Sequence, residues 1–241
     1  MTGEWDGGEG QRTNLTGVVL AGGDSTRFGP TPKATARLAG RPLVDRVTRR
    51  LWRVTGRAPV VAARSDEQRE LVDAAVSVPV RFAPDADWCA GPLAGLAGSV
   101  DAVETDHLFV CGCDMPLLAP AAVTWQARRL ADSAAEAVVP MDDEGYPQLL
   151  HAAYDRAALG DVFEDRPADD RLRLLLDRLS VERVGPAGVT ARVSMARSTT
   201  NVNTRGELAA LAAGEAGTRG TDGGEPNRVD APLPAGEHVR K

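Results

Sequence analysis

A glycine-rich loop that ends in a lysine follows the first apolar run of the chain. The loop reads Leu20-Ala-Gly-Gly-Asp-Ser-Thr-Arg-Phe-Gly-Pro-Thr-Pro-Lys33. Adjacent glycines let a backbone approach a ligand closely and offer N–H groups to phosphate oxygens. The spacing is neither GxGxxG nor GxxxxGK[ST], so it predicts neither a dinucleotide-binding fingerprint nor a P-loop. For the paired glycines alone, a β-turn that binds no ligand is the alternative.

Lysine is nearly absent from this chain. Of the 28 basic residues, 26 are arginine, and the two lysines are Lys33 in the loop and Lys241, the last residue. A lysine ammonium is a compact point charge on a flexible stem, which suits a polyphosphate, whereas arginine presents a planar fork. We therefore predict that Lys33 binds phosphate, and chance retention of this lysine is the alternative.

Two aspartates follow later apolar runs. Val110-Cys-Gly-Cys-Asp-Met-Pro116 places Asp114 just past a predicted strand, on the same edge of a parallel sheet as the glycine-rich loop. Mg²⁺ favours one carboxylate together with substrate phosphates, so Asp114 is a candidate metal ligand, and a helix cap is the alternative. Asp85 follows another predicted strand and is expected either to contact a ribose or to face water.

Apolar runs that alternate with helical patterns must position these residues. The predicted strands cover residues 15–21, 59–63, 78–83, 107–112, 137–141 and 148–154. Helices are predicted between the first four strands, after the fourth strand through about 132, near 172–179, and from 204 to near 214. This order predicts a three-layer α/β fold with a doubly wound, mostly parallel sheet. Ligands of such sheets bind at the carboxyl ends of the strands.

The composition excludes several classes of function. The chain has 241 residues and a formal net charge of −6, so it has no basic surplus for nucleic-acid binding. No apolar run approaches the roughly 18 residues of a membrane span. Cys89, Cys111 and Cys113 form neither a disulfide framework nor a four-ligand zinc set. These features predict a cytoplasmic protein, in which Cys111 and Cys113 pack rather than bind metal.

The two ends of the chain differ from its middle. Residues 1–14 are rich in Gly, Glu, Asp and Thr, and nine of the 28 residues from 214 onward are Gly or Pro. Such segments bury too little apolar surface to offset their ordering entropy. We therefore predict one domain over 15–213, a disordered extension over 1–14 and a disordered tail over 214–241.

Taken together, the motifs resemble a known family. The glycine-rich loop, followed by Gly40-Arg-Pro-Leu43, is similar to the signature of nucleotidyltransferases with a glycosyltransferase-A-like fold. The resemblance narrows to the molybdenum cofactor guanylyltransferases and covers about residues 15–213. The motifs that narrow it are Gly91-Pro-Leu-Ala-Gly95, Cys113-Asp-Met-Pro116 and Asn201-Val-Asn-Thr204 before a final helix.

Members of that family transfer GMP from GTP to the molybdopterin cofactor and release pyrophosphate. The resemblance implies that Lys33 and Asp114 are catalytic, that Asp114 holds Mg²⁺, and that Asn201 and Asn203 form the cofactor side. The nucleotide-binding residues that it implies are Leu20, Ala21, Gly22, Gly23, Arg27, Lys33, Asp85 and Asp114. Proteins that deliver the cofactor or accept the product are further candidate partners.

One position departs from the family, and three other functions stay open. The family often has an asparagine after its second strand, where this chain reads Val61-Ala-Ala-Arg64, so that contact is absent or is made by Arg64. The open functions are a cytidylyltransferase for the same pterin, a guanylyltransferase for cobinamide phosphate or phospholactate, and a nucleotide-binding regulatory module without turnover.

Overall fold

Nine strands and eight α-helices make up the described part of the protein. The structure, a computed structural model, describes residues 14–22, 28, 32–169, 171–188 and 195–221, with the backbone alone for 215–221. The strands are β1 (Leu15–Leu20), β2 (Arg37–Leu38), β3 (Arg41–Pro42), β4 (Val60–Ala62), β5 (Arg81–Ala83), β6 (His107–Gly112), β7 (Ala137–Pro140), β8 (His151–Asp155) and β9 (Val181–Val184). The helices are α1 (Leu43–Thr55), α2 (Asp66–Asp73), α3 (Gly91–Val100), α4 (Pro120–Ala131), α5 (Arg156–Glu164), α6 (Leu175–Arg178), α7 (Met195–Ser198) and α8 (Arg205–Thr221).

Seven of these strands form one sheet in the order β5-β4-β1-β6-β8-β7-β9. Every described pairing in it is parallel except the two that β8 makes with β6 and β7. The chain moves outward from β1 through β4 to β5 and then crosses to the other side of β1 to form β6. The crevice between the carboxyl ends of β1 and β6 is therefore the topological switch point, where ligands of such sheets bind. The predicted doubly wound, mostly parallel sheet is confirmed.

Helices cover both faces of this sheet because its central strands are apolar on both sides. All six residues of β1 are buried. Val18 packs in the cluster that contains Leu93 of α3, and Val19 packs in the cluster that contains Leu51 of α1. Gly17 lets α1 approach β1 closely, since a Cβ there would lie 2.8 Å from Leu51 Cδ1. The result is three layers of helix, sheet and helix.

A third apolar cluster joins the two ends of the domain. Leu38 of the β2–β3 hairpin and Val202 are both buried in it, and Leu208 and Leu211 of α8 pack against it. The cluster holds α8 against the hairpin that begins four residues after Lys33. It therefore brings the last described helix next to the glycine-rich loop.

Several boundaries differ from the sequence prediction. β5 begins at Arg81 rather than 78, β8 begins at His151 rather than 148, and the predicted helix over 172–179 divides into a 3₁₀ turn and α6. Helix α8 continues past Gly214 to Thr221, so the predicted helix end near 214 is too early. Three of the eight residues from 214 to 221 are glycine, which has a low helix propensity, so the sequence pattern favours an earlier end. Residues 1–13 and 222–241 lie outside the described part.

No helix in the described part is long and apolar enough to cross a lipid bilayer.

Candidate functional site

The site lies where β1 and β6 end side by side. Leu20 and Gly112 are opposite each other in the parallel ladder. The Cys113 N–H then donates to the Leu20 carbonyl at 3.1 Å, and the Ala21 N–H donates to the Ala62 carbonyl at 3.2 Å. These bonds keep the chain extended for one residue past each strand. The glycine-rich loop and Asp114 therefore leave the sheet at adjacent points of the same edge.

Lys33, Asp114 and Asn203 form a polar cluster at this edge. The Lys33 ammonium donates to Asp114 Oδ2 at 2.6 Å and to Asn203 Oδ1 at 2.8 Å. The side chains of Lys33 and Asp114 are 17% and 22% exposed, so the ion pair is largely shielded but still reachable by a ligand. Next to Asn203, the Val202 N–H donates to the Asp114 carbonyl at 2.9 Å. Three distant parts of the chain thus meet at one lysine.

Gly112 is required for the conformation of Asp114. A Cβ on Gly112 would overlap Asp114 Oδ1, because the carboxylate folds back over the end of β6. Without a side chain at 112, Oδ1 rests over the strand while Oδ2 faces Lys33. The glycine in Cys111-Gly-Cys-Asp114 therefore has a specific role in orienting the carboxylate.

One cavity of about 460 Å³ opens beside this cluster. Lys33, Asp114 and Gly112 line one end, and Asp85, Arg64 and Gly22 line the region past the end of β1. The remaining lining residues are Leu20, Ala21, Ala62, Ala90, Gly91, Pro92, Gly95, Cys113 and Leu150. The cavity therefore presents the Lys33–Asp114 ion pair together with a second carboxylate, that of Asp85.

Asp85 places a carboxylate at the wall of the cavity, with one of its two oxygens buried. Its Oδ1 atom is buried and has no hydrogen-bond partner among the described residues. Burial raises the pKa of Asp85 above its ordinary value, and the nearby positive charge of Arg64 lowers it in part. A Cβ on Gly22 would lie 3.3 Å from Asp85 Oδ2, and a Cβ on Gly95 would lie 3.4 Å from Oδ1. Both glycines therefore keep open the space around this carboxylate.

Helix α3 fixes the loop that carries Asp85. The Ala86 N–H donates to the Ala94 carbonyl at 2.9 Å, and a Cβ on Gly98 would overlap the Pro84 carbonyl oxygen. This close approach explains the small residues of the helix. Its first turn, at Gly91 and Pro92, also lines the cavity, and the N–H groups of a first turn have no intrahelical acceptors.

The donor set fits a magnesium ion that is shared with a substrate. Among the described residues, no group of three or more His, Cys, Asp or Glu side chains could hold a metal by itself. Asp114 is a single hard oxygen ligand beside an open cavity, and Mg²⁺ commonly combines such a carboxylate with substrate phosphates. Burial, followed by the negative charge of Asp114, raises the pKa of Cys113 to about 12, so this thiol stays protonated.

Most of the predicted site residues come together in the structure. Those that line the cavity are Leu20, Ala21, Gly22, Lys33, Asp85 and Asp114. Asn203 reaches the same cluster through Lys33. Asn201 lines a second groove with Leu117 and Glu207 instead, so the structure separates the two asparagines. Gly23 and Arg27 lie outside the described residues.

The structure adds three residues to the predicted site. Arg64 stands beside Asp85, Gly112 orients Asp114, and Leu150 contributes an apolar wall. Arg64 is detectable in the sequence as the residue that replaces a family asparagine. Leu150 carries no such signal, because an apolar residue near a strand is indistinguishable from the core in sequence.

The fold and this site together define an α/β nucleotidyltransferase. The family model of the MobA-like NTP transferase domain matches residues 17–184, and the chain belongs to that family. A probable molybdenum cofactor guanylyltransferase of Natronomonas pharaonis is 40% identical over 139 residues, which cover 58% of this chain and 67% of the relative. A protein of the same name from Haloferax mediterranei is 30% identical over 205 residues, which cover 83% of this chain and 93% of the relative.

A solved structure supports the same fold. Molybdopterin-guanine dinucleotide biosynthesis protein A from Archaeoglobus fulgidus matches with a TM-score of 0.70 at 22% identity. The match covers 84% of this chain and 99% of that protein. The two proteins therefore share their architecture over almost the whole of the solved chain.

Proposed function

We propose that this protein transfers GMP from GTP to the molybdopterin cofactor and releases pyrophosphate. One observation carries the proposal. One cavity is lined by Asp85, whose Oδ1 has no hydrogen-bond partner among the described residues, and by a lysine–aspartate pair suited to a magnesium polyphosphate, formed by Lys33 and Asp114. The names of the relatives from Natronomonas pharaonis and Haloferax mediterranei support the same assignment.

Asp85 favours guanine as the base. The Watson–Crick edge of guanine presents two adjacent donors, N1–H and the N2 amine, whereas the same edge of cytosine presents one amine donor. A carboxylate accepts hydrogen bonds only, so it pairs with the two guanine donors and repels ring acceptors. Burial of Asp85 Oδ1 strengthens this preference, because leaving a buried acceptor unpaired has a high energetic cost.

Lys33 and Asp114 bind the triphosphate of GTP in this proposal. Lys33 holds a positive charge against the triphosphate and the departing pyrophosphate. Asp114 would hold Mg²⁺ jointly with phosphate oxygens, and the ion, when bound, neutralises phosphate charge. Asn203 accepts a hydrogen bond from Lys33 and so fixes the direction of its ammonium.

The reaction needs no nucleophile from the protein. An oxygen of the terminal phosphate of molybdopterin forms a bond to the α-phosphorus of GTP, while the bond from that phosphorus to the bridging oxygen of the β-phosphate breaks. The contributions of the chain are orientation of the two phosphates and compensation of their charge. The acceptor would enter beside Asn203, next to the second groove that Asn201 lines. A cytoplasmic location and proteins that deliver the cofactor or accept the product are further predictions of this assignment.

Pyrophosphate release tests the proposal. The full-length chain is incubated with Mg²⁺, with GTP, CTP or ATP, and with or without molybdopterin that bears molybdenum. We expect release that requires GTP, Mg²⁺ and the pterin, and that is abolished in Asp114→Asn but retained in Asp161→Asn, an exposed matched control on α5. Release with cobinamide phosphate or phospholactate in place of the pterin would reassign the acceptor. Absence of release with every acceptor would support a regulatory nucleotide-binding module.

A further inference from the structure

A buried hydrogen-bond network lies behind the site, apart from the cavity. Gln126 of α4, His151 of β8 and Ser198 of α7 are each fully buried. His151 Nε2 lies 2.6 Å from Ser198 Oγ, and its Nδ1 lies 3.1 Å from the side-chain amide of Gln126. The Ala119 N–H, at the start of α4, donates to Ser198 Oγ at 2.8 Å. Three elements of the fold therefore meet at one serine hydroxyl.

The protons of this network can be assigned from its partners. Ser198 Oγ accepts from Ala119, so its own proton is directed to Nε2 of His151. With the Gln126 amide turned so that its oxygen accepts from Nδ1, its nitrogen donates to the carbonyls of His151 at 3.0 Å and Val138 at 3.2 Å. In this arrangement His151 is neutral, which agrees with the lowering of its pKa to about 4 by burial.

A serine beside a histidine also suggests a nucleophile and its general base. The burial of both side chains excludes that role. Both side chains have no exposed surface, and both hydrogen-bonding directions of the hydroxyl are used inside the protein. Neither residue lines the cavity or the second groove among the described residues. Within the part of the chain that the structure describes, a substrate therefore has no route to Ser198.

Ser198 instead anchors the segment that completes the site. Residues 195–203 run from α7 to Asn203, and Ser198 fixes the start of this segment by two hydrogen bonds. At its other end, the Val202 N–H donates to the Asp114 carbonyl and Asn203 accepts from Lys33. Residues 197 and 200–202 of the same segment line the second groove. A shift at Ser198 is thus transmitted to both Lys33 and the groove.

We propose that His151 and Ser198 are positioning residues, which hold the 195–203 segment so that Asn203 orients Lys33 and the groove keeps its shape. The effect on transfer rests on the proposed function, whereas the effect on Lys33 does not. Loss of the Ser198 hydroxyl should release the segment without altering the Asp85 end of the cavity. Because Lys33 also serves the triphosphate, GTP affinity should weaken together with use of the pterin acceptor.

The test compares Ser198→Ala with Thr105→Val. Thr105 is also buried and also loses a hydroxyl with two hydrogen bonds, one to Thr16 and one to the His107 carbonyl, near the opposite edge of the sheet. Loss of a buried hydrogen bond should lower the melting temperature of both variants. Only Ser198→Ala should alter the site. An effect that appears in both variants is therefore attributed to general destabilisation and not to positioning.

Two readouts separate positioning from stability. The chain has two lysines, so ¹³Cε-lysine labelling gives two NMR signals, and the signal that Lys33→Arg removes belongs to Lys33. We expect this signal to shift in Ser198→Ala and to stay in place in Thr105→Val. In the transfer assay, kcat/KM for the acceptor should fall about tenfold in Ser198→Ala, and the GTP dissociation constant should rise, because Lys33 also binds the triphosphate.

The outcomes of this test are distinct for the two proposals. An unchanged Lys33 signal, or unchanged acceptor kcat/KM in folded Ser198→Ala, would overturn the positioning role. If Ser198→Ala does not fold, the Lys33 signal and the acceptor kcat/KM are measured in His151→Gln instead. A wild-type protein that transfers GMP to no pterin would overturn the proposed function instead. The Lys33 signal in Ser198→Ala would still show whether Ser198 holds the 195–203 segment in place.

Discussion

The ammonium of Lys33 lies 2.6 Å from the carboxylate of Asp114, at the edge of the cavity beside the carboxyl ends of β1 and β6. In the free protein each charge compensates the other, which limits the energetic cost of holding both in a partly shielded place. A magnesium polyphosphate offers a replacement partner to each, namely phosphate oxygens to the lysine and the cation to the aspartate. The pair is therefore organised for this ligand before it binds.

Removal of the lysine should weaken nucleotide binding strongly. We expect Lys33→Ala to lose about 2 kcal/mol of GTP binding free energy, because a charge-assisted phosphate contact is lost and Asp114 is left uncompensated. Lys33→Arg should recover only part of this binding free energy, because the planar guanidinium does not replace the compact charge of the ammonium. Titration calorimetry measures both, with Lys241→Ala as the matched control. An arginine variant with wild-type affinity would contradict the role argued for Lys33.

Substitution of Gly112 should reduce transfer activity as strongly as substitution of Asp114, which Gly112 orients. In Gly112→Ala the new methyl group overlaps the position of Asp114 Oδ1, so the carboxylate must turn away. We expect transfer to fall by at least about a hundredfold, since small misplacements at a reacting centre have effects of this size. Gly160→Ala, on helix α5 with open space around it, is the control and should retain full activity. Equal activity of the two variants would show that the orientation of Asp114 is unimportant.

Gly22→Ala should shift the preference between nucleotides. The added methyl would lie 3.3 Å from Asp85 Oδ2 and 3.9 Å from Arg64 Cβ, so it presses on the carboxylate that we assign to guanine. We expect kcat/KM for GTP to fall relative to CTP by about 1–3 kcal/mol, the usual effect of one methyl group. The ratio is measured in the wild type and in the variant. An unchanged ratio would mean that the base is recognised elsewhere.

His151 should make stability depend on pH in a defined direction. Its pKa in the folded protein is lowered to about 4, below the ordinary value of 6.5, so the unfolded chain takes up a proton first as pH falls. The contribution is complete above about pH 6.5 and is lost as pH falls toward 4. Its titratable neighbour across the sheet, Cys111, has a raised pKa and stays neutral.

Urea unfolding at pH 7 and pH 5 measures this effect. The wild type should lose about 2 kcal/mol more of its unfolding free energy over this interval than His151→Gln, in which the titrating group is absent. The variant serves as the baseline for all other carboxylates and histidines. Equal losses in the two proteins would show that His151 is protonated to the same extent in the folded and the unfolded state.

The sequence predicts the sheet and most of the cavity because both depend on local signals. Buried parallel strands are continuous apolar runs, so residues 107–112 are identified without error. The loop after such a strand is the expected ligand site, and this rule alone places Lys33, Asp85 and Asp114 near one edge. The separate orientations of Asn201 and Asn203 are not predictable, because both are set by contacts with distant residues.

Two further features depend on three-dimensional packing. The need for glycine at 112 arises from the fold of Asp114 over the strand end, which no spacing rule encodes. The network around His151 joins residues of three separate elements, and a lone histidine in an apolar strand predicts only a buried side chain. Helix α8 extends to Thr221 past glycines at 214, 217 and 220, and sequence rules interpret the first of these as a helix end.

A competition between two nucleotides tests the central claim most directly. The full-length protein receives equal concentrations of GTP and CTP, Mg²⁺ and limiting molybdenum-loaded molybdopterin, and the dinucleotide product is identified by its mass. We expect the guanine dinucleotide in clear excess, because the Asp85 carboxylate accepts hydrogen bonds from the two adjacent donors of guanine. Predominant formation of the cytosine dinucleotide, or no dinucleotide at all, would contradict this claim.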